Sequence, residues 1–144
     1  AVAAAKLAGR VEKTYLAIVQ GRLSQSDGVI DAPIARARQS IIVRTVSPQG
    51  KPAVTRFHVL ETLKSHTLVR VELETGRTHQ IRVHFSWMGF PLAGDDLYGG
   101  NTLWIGRQAL HCAEVSFQHP QEKKLGRVTS SLPEDMQLLM HRNP

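Results

Sequence analysis

The segment EKTYLAIVQG, close to the start of the chain, constrains the fold more than any other stretch. It is rich in β-forming residues, and Tyr15 and Val19 point to one face while Leu16 and Ile18 point to the other. Both faces are largely apolar, whereas a strand with one solvated face alternates between apolar and polar side chains. The segment therefore predicts a central strand of a sheet.

Four more segments carry strand signals, namely QSIIVRTV, AVTRFHVLETL, TLVRVELE and QALHCAEVSF. The first is followed by the turn sequence SPQGKP, and in the third Val69 and Val71 alternate with Arg70 and Glu72. The strands do not follow the strand–helix–strand rhythm of a parallel fold. This order favours an antiparallel or mixed sheet.

The apolar period changes after the segment TLVRVELE. Ile81, Phe85 and Met88 recur at the spacing of one helical face, so a helix is predicted there. Gly89 is a natural residue to end it, because glycine adopts the left-handed conformation that follows many helices.

The segment VTSSLPEDMQLLM predicts a short strand and a second helix, for which Ser131 and Glu134 fit a capping box. No internal repeat or linker divides the chain. We therefore expect a single α+β domain over residues 1–144, built on a mainly antiparallel or mixed sheet with a few flanking helices.

The charge balance points to a polyanionic partner. Lys and Arg total 18 against 12 Asp and Glu, which gives a net charge of +6 and a pI near 10.0. We expect nucleic acid ahead of an anionic membrane. No apolar run approaches the roughly 18 residues that a membrane-spanning helix needs, and the opening AVAAAKLAGR does not resemble a signal peptide.

Metal and nucleotide motifs are missing from the sequence. The single cysteine, Cys112, allows neither an internal disulfide nor a thiolate cluster for zinc. His79 and His84 are five residues apart, which disfavours a two-histidine metal site on one helical face. No GxGxxG, P-loop or GxSxG sequence occurs. The residues therefore give no support to a zinc site, a dinucleotide or P-loop nucleotide site, or a serine hydrolase.

The segment LETGRTHQIRVHFSWMG concentrates arginine and histidine at the start of the predicted helix. Arg82 follows Ile81 at the edge of the apolar stripe, where a guanidinium is costly to bury without a carboxylate or phosphate. Arg77 and His79 lie at the helix start, where backbone N–H groups favour an anion. An ordinary helix with solvated side chains is the alternative, and the residues alone leave both readings open.

Asp95 and Asp96, in the sequence AGDDLYGG, could form a carboxylate pair for acid–base chemistry. An aspartate that ties down the glycine-rich turn is the interpretation that the setting favours.

The segment LETGRTHQIRVHFSWMGFPLAGDDLYGG resembles the signature of the RluA-type family of ribosomal large-subunit pseudouridine synthases. Five further segments resemble the family in its own order, namely VEKTYLAIVQG, IDAPIARARQS, GKPAVTRF, RQALHCAEVSF followed by HP, and LPEDM. The resemblance covers about the whole chain. It implies a pseudouridine-synthase-like fold and isomerisation of uridine to pseudouridine in RNA, without a metal or organic cofactor.

The resemblance also implies roles for individual residues. Tyr15 resembles the tyrosine that stacks on the target uracil, and Arg82 resembles the arginine that pairs with the nucleophilic aspartate. Arg77 and His79 belong to the same motif and are expected to contact RNA or to be structural. Phosphate contacts are expected from five basic residues, Arg36, Arg38, Arg44, Lys51 and Arg56. The implied partner is ribosomal or transfer RNA, and we expect a cytoplasmic monomer.

The sequence departs from the family at the nucleophile, because no motif of the form HRLDxxTSG occurs. All five aspartates, Asp27, Asp31, Asp95, Asp96 and Asp135, follow Tyr15 in other contexts. We therefore expect a C-terminal portion of a catalytic domain that is inactive alone. The alternative is a non-catalytic RNA-binding remnant of the same fold. Without the nucleophile, Arg82 is expected to lack a partner, which predicts marginal stability or a remodelled helix at 78–89.

Overall fold

The computed structural model describes residues 11–118 and 125–142. Eight strands, two α-helices and one 3₁₀ turn follow in chain order: β1 Val11–Gln20, β2 Asp27–Asp31, β3 Ile34–Arg36, β4 Arg44–Val46, β5 Val54–Thr62, β6 His66–Leu73, α1 Gln80–Trp87, the 3₁₀ turn Asp96–Tyr98, β7 Leu110–Gln118, β8 Leu125–Thr129 and α2 Glu134–His141. The predicted α+β class with an antiparallel sheet is confirmed.

Six strands form one sheet in the order β2-β5-β6-β1-β7-β8, and every neighbouring pair is antiparallel. β1 lies between β6 and β7, so the predicted central strand is confirmed. Tyr15 is opposite Val71 on β6 and Cys112 on β7, with a bulge in the β1–β7 register between Thr14 and Tyr15. Such a bulge re-aims the neighbouring side chains.

The two apolar faces of β1 belong to two separate cores. Ala17 and Val19 pack with Ile81 and Phe85 of α1 in one core. Ile18 packs on the opposite face with residues of α2, including Met136. The helices therefore cover opposite faces of the sheet, and Tyr15 lies on the α1 side, where it packs against the first core.

Helix α1 follows the prediction closely. Ile81 and Phe85 are buried, and Gly89 has φ +91°, the left-handed conformation expected after the helix end. The capping box of the second helix is wrong. Pro133 is the N-cap residue and no side chain caps α2. The helix begins directly after the proline, which leaves Ser131 two residues outside the cap position.

The predicted strand QSIIVRTV is only partly correct. Only Arg44–Val46 is a strand, and it pairs with the unpredicted β3 in a separate two-stranded hairpin. Ile41 and Ile42 are 81% and 63% exposed. β-Propensity misled the prediction because a strand also needs a partner and a surface to pack on. β2, at the sheet edge beside β5, was not predicted either.

None of the helices in the described part of the chain is long and apolar enough to cross a membrane. Among these same residues, no group of three or more His, Cys, Asp or Glu side chains is placed to hold a metal ion.

Candidate active-site cleft and basic groove

Tyr15 and Arg82 line one cleft of about 260 Å³. Tyr15 comes from the centre of the sheet, and Arg82 comes from the first turn of α1. Arg77 and His79, from the turn before the helix, lie on the same wall. Segments that are distant in sequence therefore converge here because α1 packs on the face of the sheet that carries Tyr15.

Tyr15 is half-buried, and its ring packs against the α1-side core. Burial raises the pKa of its hydroxyl, and the neighbouring Cys112 raises that pKa further. Within the described residues the hydroxyl makes no hydrogen bond. The side chain thus presents a neutral phenol ring to the cleft.

Arg82 pairs with Asp95 through two parallel hydrogen bonds. Arg82 Nε donates to Asp95 Oδ2 at 2.8 Å, and Nη2 donates to Oδ1 at 2.9 Å. The side chains are 14% and 1% exposed. The hydrogen bonds to Asp95 raise the pKa of Arg82.

The expectation that Arg82 lacks a partner in this chain is therefore wrong, as is the predicted remodelling of the helix. Asp95 supplies the carboxylate, and α1 is regular over Gln80–Trp87. The expected role of Asp95 in the turn also needs correction. Its main-chain carbonyl accepts from Gly100 N at 2.7 Å, but its carboxylate binds Arg82. Asp96 is exposed and makes no hydrogen bond to Arg82, although its negative charge also raises the pKa of Arg82 by a smaller effect.

Tyr98 joins the cleft to the hairpin. Its hydroxyl accepts from Arg44 N at 2.9 Å and bonds to His79 Nδ1 at 2.7 Å. Which of the two atoms donates in the bond between Tyr98 and His79 is set by the tautomer of His79. Burial lowers the pKa of His79, and the positive charges of Arg82 and Arg44 lower it further. The guanidinium of Arg82 also lies 5.0 Å from the centre of the Tyr98 ring.

A buried chain of hydrogen bonds fixes α1 to the strands. Gln80 Nε2 donates to Thr55 Oγ1 at 3.0 Å, Thr55 Oγ1 lies 2.8 Å from His84 Nδ1, and His84 Nε2 lies 2.8 Å from the Ala32 carbonyl. One neutral tautomer of His84 satisfies every contact, with Nε2–H donating to Ala32 and Nδ1 accepting from Thr55. Burial is the main cause that lowers the pKa of His84.

A basic groove of about 390 Å³ adjoins the cleft. Arg36 and Arg44 face each other across the β3–β4 hairpin, and Lys51 and Arg77 complete the positive lining. None of the four pairs with a carboxylate among the described residues. Arg77 lines both the groove and the cleft, and its Nε donates to the Pro52 carbonyl at 2.7 Å.

Comparison with known proteins identifies the family. The family model described as RNA pseudouridylate synthase matches residues 2–87. The chain belongs to this family. Its resemblance to the RluA-type pseudouridine synthases is confirmed by similarity to the ribosomal large subunit pseudouridine synthase D of Nitrosomonas europaea. That protein is 42% identical over 139 residues, which covers 90% of this chain and 40% of the relative.

Other relatives agree. The uncharacterized RNA pseudouridine synthase YjbO of Bacillus subtilis is 52% identical over 132 residues, covering 92% of this chain and 47% of that protein. Human RNA Pseudouridylate Synthase Domain Containing 1 has a similar structure, with a TM-score of 0.73 and 30% identity, covering 85% of this chain and 55% of that one. The chain thus spans about half the length of the relatives it matches.

Two of the basic residues expected to bind RNA lie outside the basic groove. Arg56 is ion-paired with Glu74, and the surrounding surface also carries Glu12 and Glu72. These carboxylates repel a phosphate, so the prediction for Arg56 is not supported. Arg38 is exposed in the loop between β3 and β4 and does not line the groove.

Sequence reasoning missed the residues that hold the cleft together, namely Tyr98, Gln80 and Thr55, and the pairing of Asp95. Tyr98 and Gln80 lie inside the segment that resembles the family signature, which was the available signal. Thr55 carries no signal, since a strand threonine is ordinarily interpreted as a β-former.

Proposed function

We propose that this chain provides the base-binding part of an RNA pseudouridine synthase site, which converts uridine to pseudouridine without a metal or organic cofactor. The observation that carries the proposal is the single cleft that joins Tyr15 to Arg82 and continues through Arg77 into the basic groove. The cleft would hold the target uracil, and the groove would hold the phosphates on either side of it.

The target base must leave its stack to reach the cleft, which costs a few kcal/mol. The ring of Tyr15 supplies an aromatic surface that offsets part of this cost, as in other proteins that bind unstacked bases. A tyrosine hydroxyl is protonated at neutral pH, and burial raises the pKa of Tyr15 further. Tyr15 therefore adds no negative charge beside the uracil.

The isomerisation detaches the uracil from its sugar, rotates it and rejoins it through C5, and a carboxylate is the group that such chemistry needs. No residue that lines the cleft carries one. Asp95 is the nearest candidate, but its carboxylate is 1% exposed and both oxygens accept hydrogen bonds from Arg82. We infer that none of the five aspartates is the nucleophile and that the 144-residue chain alone is inactive.

The substrate is proposed to be ribosomal RNA, because several relatives are named ribosomal large subunit pseudouridine synthase D. Transfer RNA is the second possibility. The groove supports RNA binding through Arg36, Arg44, Lys51 and Arg77, none of which pairs with a carboxylate among the described residues. A cytoplasmic monomer remains the proposed setting.

The test is release of tritium from RNA labelled at uridine C5. It uses the chain alone and a chimera in which this chain replaces its matching segment in YjbO of Bacillus subtilis. We expect release by the chimera and none by the chain. In the chimera, Tyr15→Ala should lose turnover, while Tyr15→Phe should keep RNA affinity because the ring remains.

A second candidate is a non-catalytic RNA-binding module, and the absence of a carboxylate among the residues lining the cleft favours it. Both candidates predict RNA binding with a steep salt dependence, because phosphate contacts release counterions. A folded chimera that binds RNA but releases no tritium would support the binding module. Release by the short chain at the rate of the chimera would contradict both.

A further inference from the structure

The two hydrogen bonds of the Arg82–Asp95 pair use only one edge of the guanidinium. Nε and Nη2 donate to the carboxylate, whereas a guanidinium has five N–H donors. The remaining nitrogen, Nη1, makes no hydrogen bond to any residue that the structure describes. Since Arg82 lines the cleft, the unused donors are available to an anion there.

Asp95 is held rigidly in its turn. Its amide donates to the Leu92 carbonyl at 3.2 Å, and its own carbonyl accepts from Tyr98 N at 3.2 Å and Gly100 N at 2.7 Å. Gly94, the preceding residue, has φ +78°, and a Cβ atom there would come within 1.9 Å of the Arg107 carbonyl oxygen. Only glycine fits that position, which fixes the approach of Asp95 to the helix.

In the second bidentate pair of the described residues, by contrast, every guanidinium nitrogen makes a hydrogen bond. Arg107 uses Nε and Nη2 for Asp135, and its Nη1 donates to the carbonyls of Gln108 and Leu110 at 3.0 and 3.2 Å. Arg107 is therefore a matched reference, with the same pairing edge but no unused nitrogen.

We propose that Asp95 is a positioning residue that fixes the Nε–Nη2 edge of Arg82 so that Nη1 faces the cleft and binds an oxyanion. The oxyanion is a carboxylate or a phosphate oxygen. The proposal rests on the proposed function for its catalytic meaning, because the cleft is where the uracil and the missing carboxylate would meet. The geometry itself can be tested without any activity.

The experiment is ¹⁵N NMR of the arginine guanidinium groups in the 144-residue chain, with Asp95→Asn and Asp135→Asn as the variants. In the unmodified chain, Nε–H of Arg82 should exchange with water at least about tenfold more slowly than that of Arg107, because it is buried in a fixed pair. Asp95→Asn should remove this protection and leave the backbone amides of α1 protected. Asp135→Asn should not change Arg82.

A titration tests the free edge in the unmodified chain, at constant ionic strength with chloride as the reference anion. Acetate or inorganic phosphate should shift the Nη resonances of Arg82 and leave those of Arg107 in place. A shift with acetate alone identifies the occupant as a carboxylate, and a shift with phosphate alone identifies a phosphate. This measurement still decides the matter if Asp95→Asn does not fold.

Exchange of Arg82 as fast as that of Arg107, or no response to either anion, would overturn the inference. The experiments can contradict the proposed function and this inference separately. A chimera that releases no tritium while Arg82 behaves as expected leaves the inference standing, whereas an active chimera with an unprotected Arg82 removes the inference alone.

Discussion

The two bidentate arginine–aspartate pairs have nearly the same geometry and very different surroundings. Arg82 and Asp95 are joined at 2.8 and 2.9 Å, and Arg107 and Asp135 at 2.8 and 3.0 Å. The exposed fractions of the side chains are 14% and 1% in the first pair and 42% and 43% in the second. The hydrogen-bond distances therefore do not distinguish the two pairs, whereas the exposed fractions of their side chains do.

Burial changes what the same hydrogen bonds do. In water, solvent and salt screen the attraction, and an exposed pair typically stabilises by about 0–1 kcal/mol. A buried pair has a strong attraction and a large desolvation cost, so its net stabilisation is small while the loss of one partner is severe. The Arg82–Asp95 pair therefore holds a charge in position and contributes little net stabilisation.

The largest effect should come from removing one buried partner. Asp95→Ala is expected to lower the free energy of unfolding by about 3–5 kcal/mol, because the guanidinium of Arg82 is left without its carboxylate. Urea denaturation measures the change. Asp135→Ala is the control and should cost no more than about 1 kcal/mol. Equal losses in the two variants would show that burial does not separate the pairs.

The pH dependence of the free energy of unfolding extends the comparison to two histidines, His84 in α1 and His79 in the turn before it. A histidine in the unfolded chain titrates near about 6.5, while His84 and His79 have lowered pKa values in the folded chain. Between the two pKa values the unfolded chain binds more protons. The free energy of unfolding should therefore fall as pH decreases through about 6.5, by at most about 1.4 kcal/mol per pH unit for each histidine.

This pH dependence is measured by urea denaturation at a series of pH values. His84→Gln should reduce the slope of the free energy of unfolding against pH. In the unmodified chain, protonation of His84 forces both ring nitrogens to donate, which leaves the Thr55 hydroxyl proton without an acceptor. His79→Gln should reduce the slope separately. A slope that neither substitution changes would exclude both histidines as its source.

The comparison extends to RNA binding, where an arginine paired with a carboxylate should differ from the groove residues that contact no carboxylate. Lys51→Ala should reduce the salt slope of log affinity for single-stranded RNA by about 0.7, the value for one phosphate contact. Arg107→Ala should leave the slope unchanged, because the guanidinium is already paired with Asp135. Fluorescence anisotropy at a series of salt concentrations measures both. Equal reductions would mean that paired arginines bind phosphate as well as groove residues do.

The smallest expected effect is the change in the coupling energy of each ion pair when salt is added. A double-mutant cycle on Arg107 and Asp135 should give a coupling energy below about 1 kcal/mol that disappears in about 1 M salt, where the screening length is about 3 Å. The same cycle on Arg82 and Asp95 should give a coupling that survives. Loss of both couplings in salt would show that water reaches the Arg82 pair.

The sequence by itself determined β1 as a central strand and α1 with its end at Gly89, and it singled out four of the residues that line the cleft, namely Tyr15, Arg77, His79 and Arg82. These features depend on the order of neighbouring residues. Apolar periodicity and the conformational freedom of glycine act over one or two turns, and the two motifs that contain Tyr15 and Arg82 are each continuous in the chain.

Only the tertiary structure decided which charges meet. Asp95 lies 13 residues after Arg82, and it reaches the helix through a turn whose shape depends on Gly94 and on its close approach to Arg107. Arg56 pairs with Glu74 because β5 lies beside β6. Arg36 and Arg44 meet only because β3 and β4 form a hairpin that propensity did not predict. Ion pairing depends on strand register, packing and exclusion of water, all of which bring together residues that are distant in sequence.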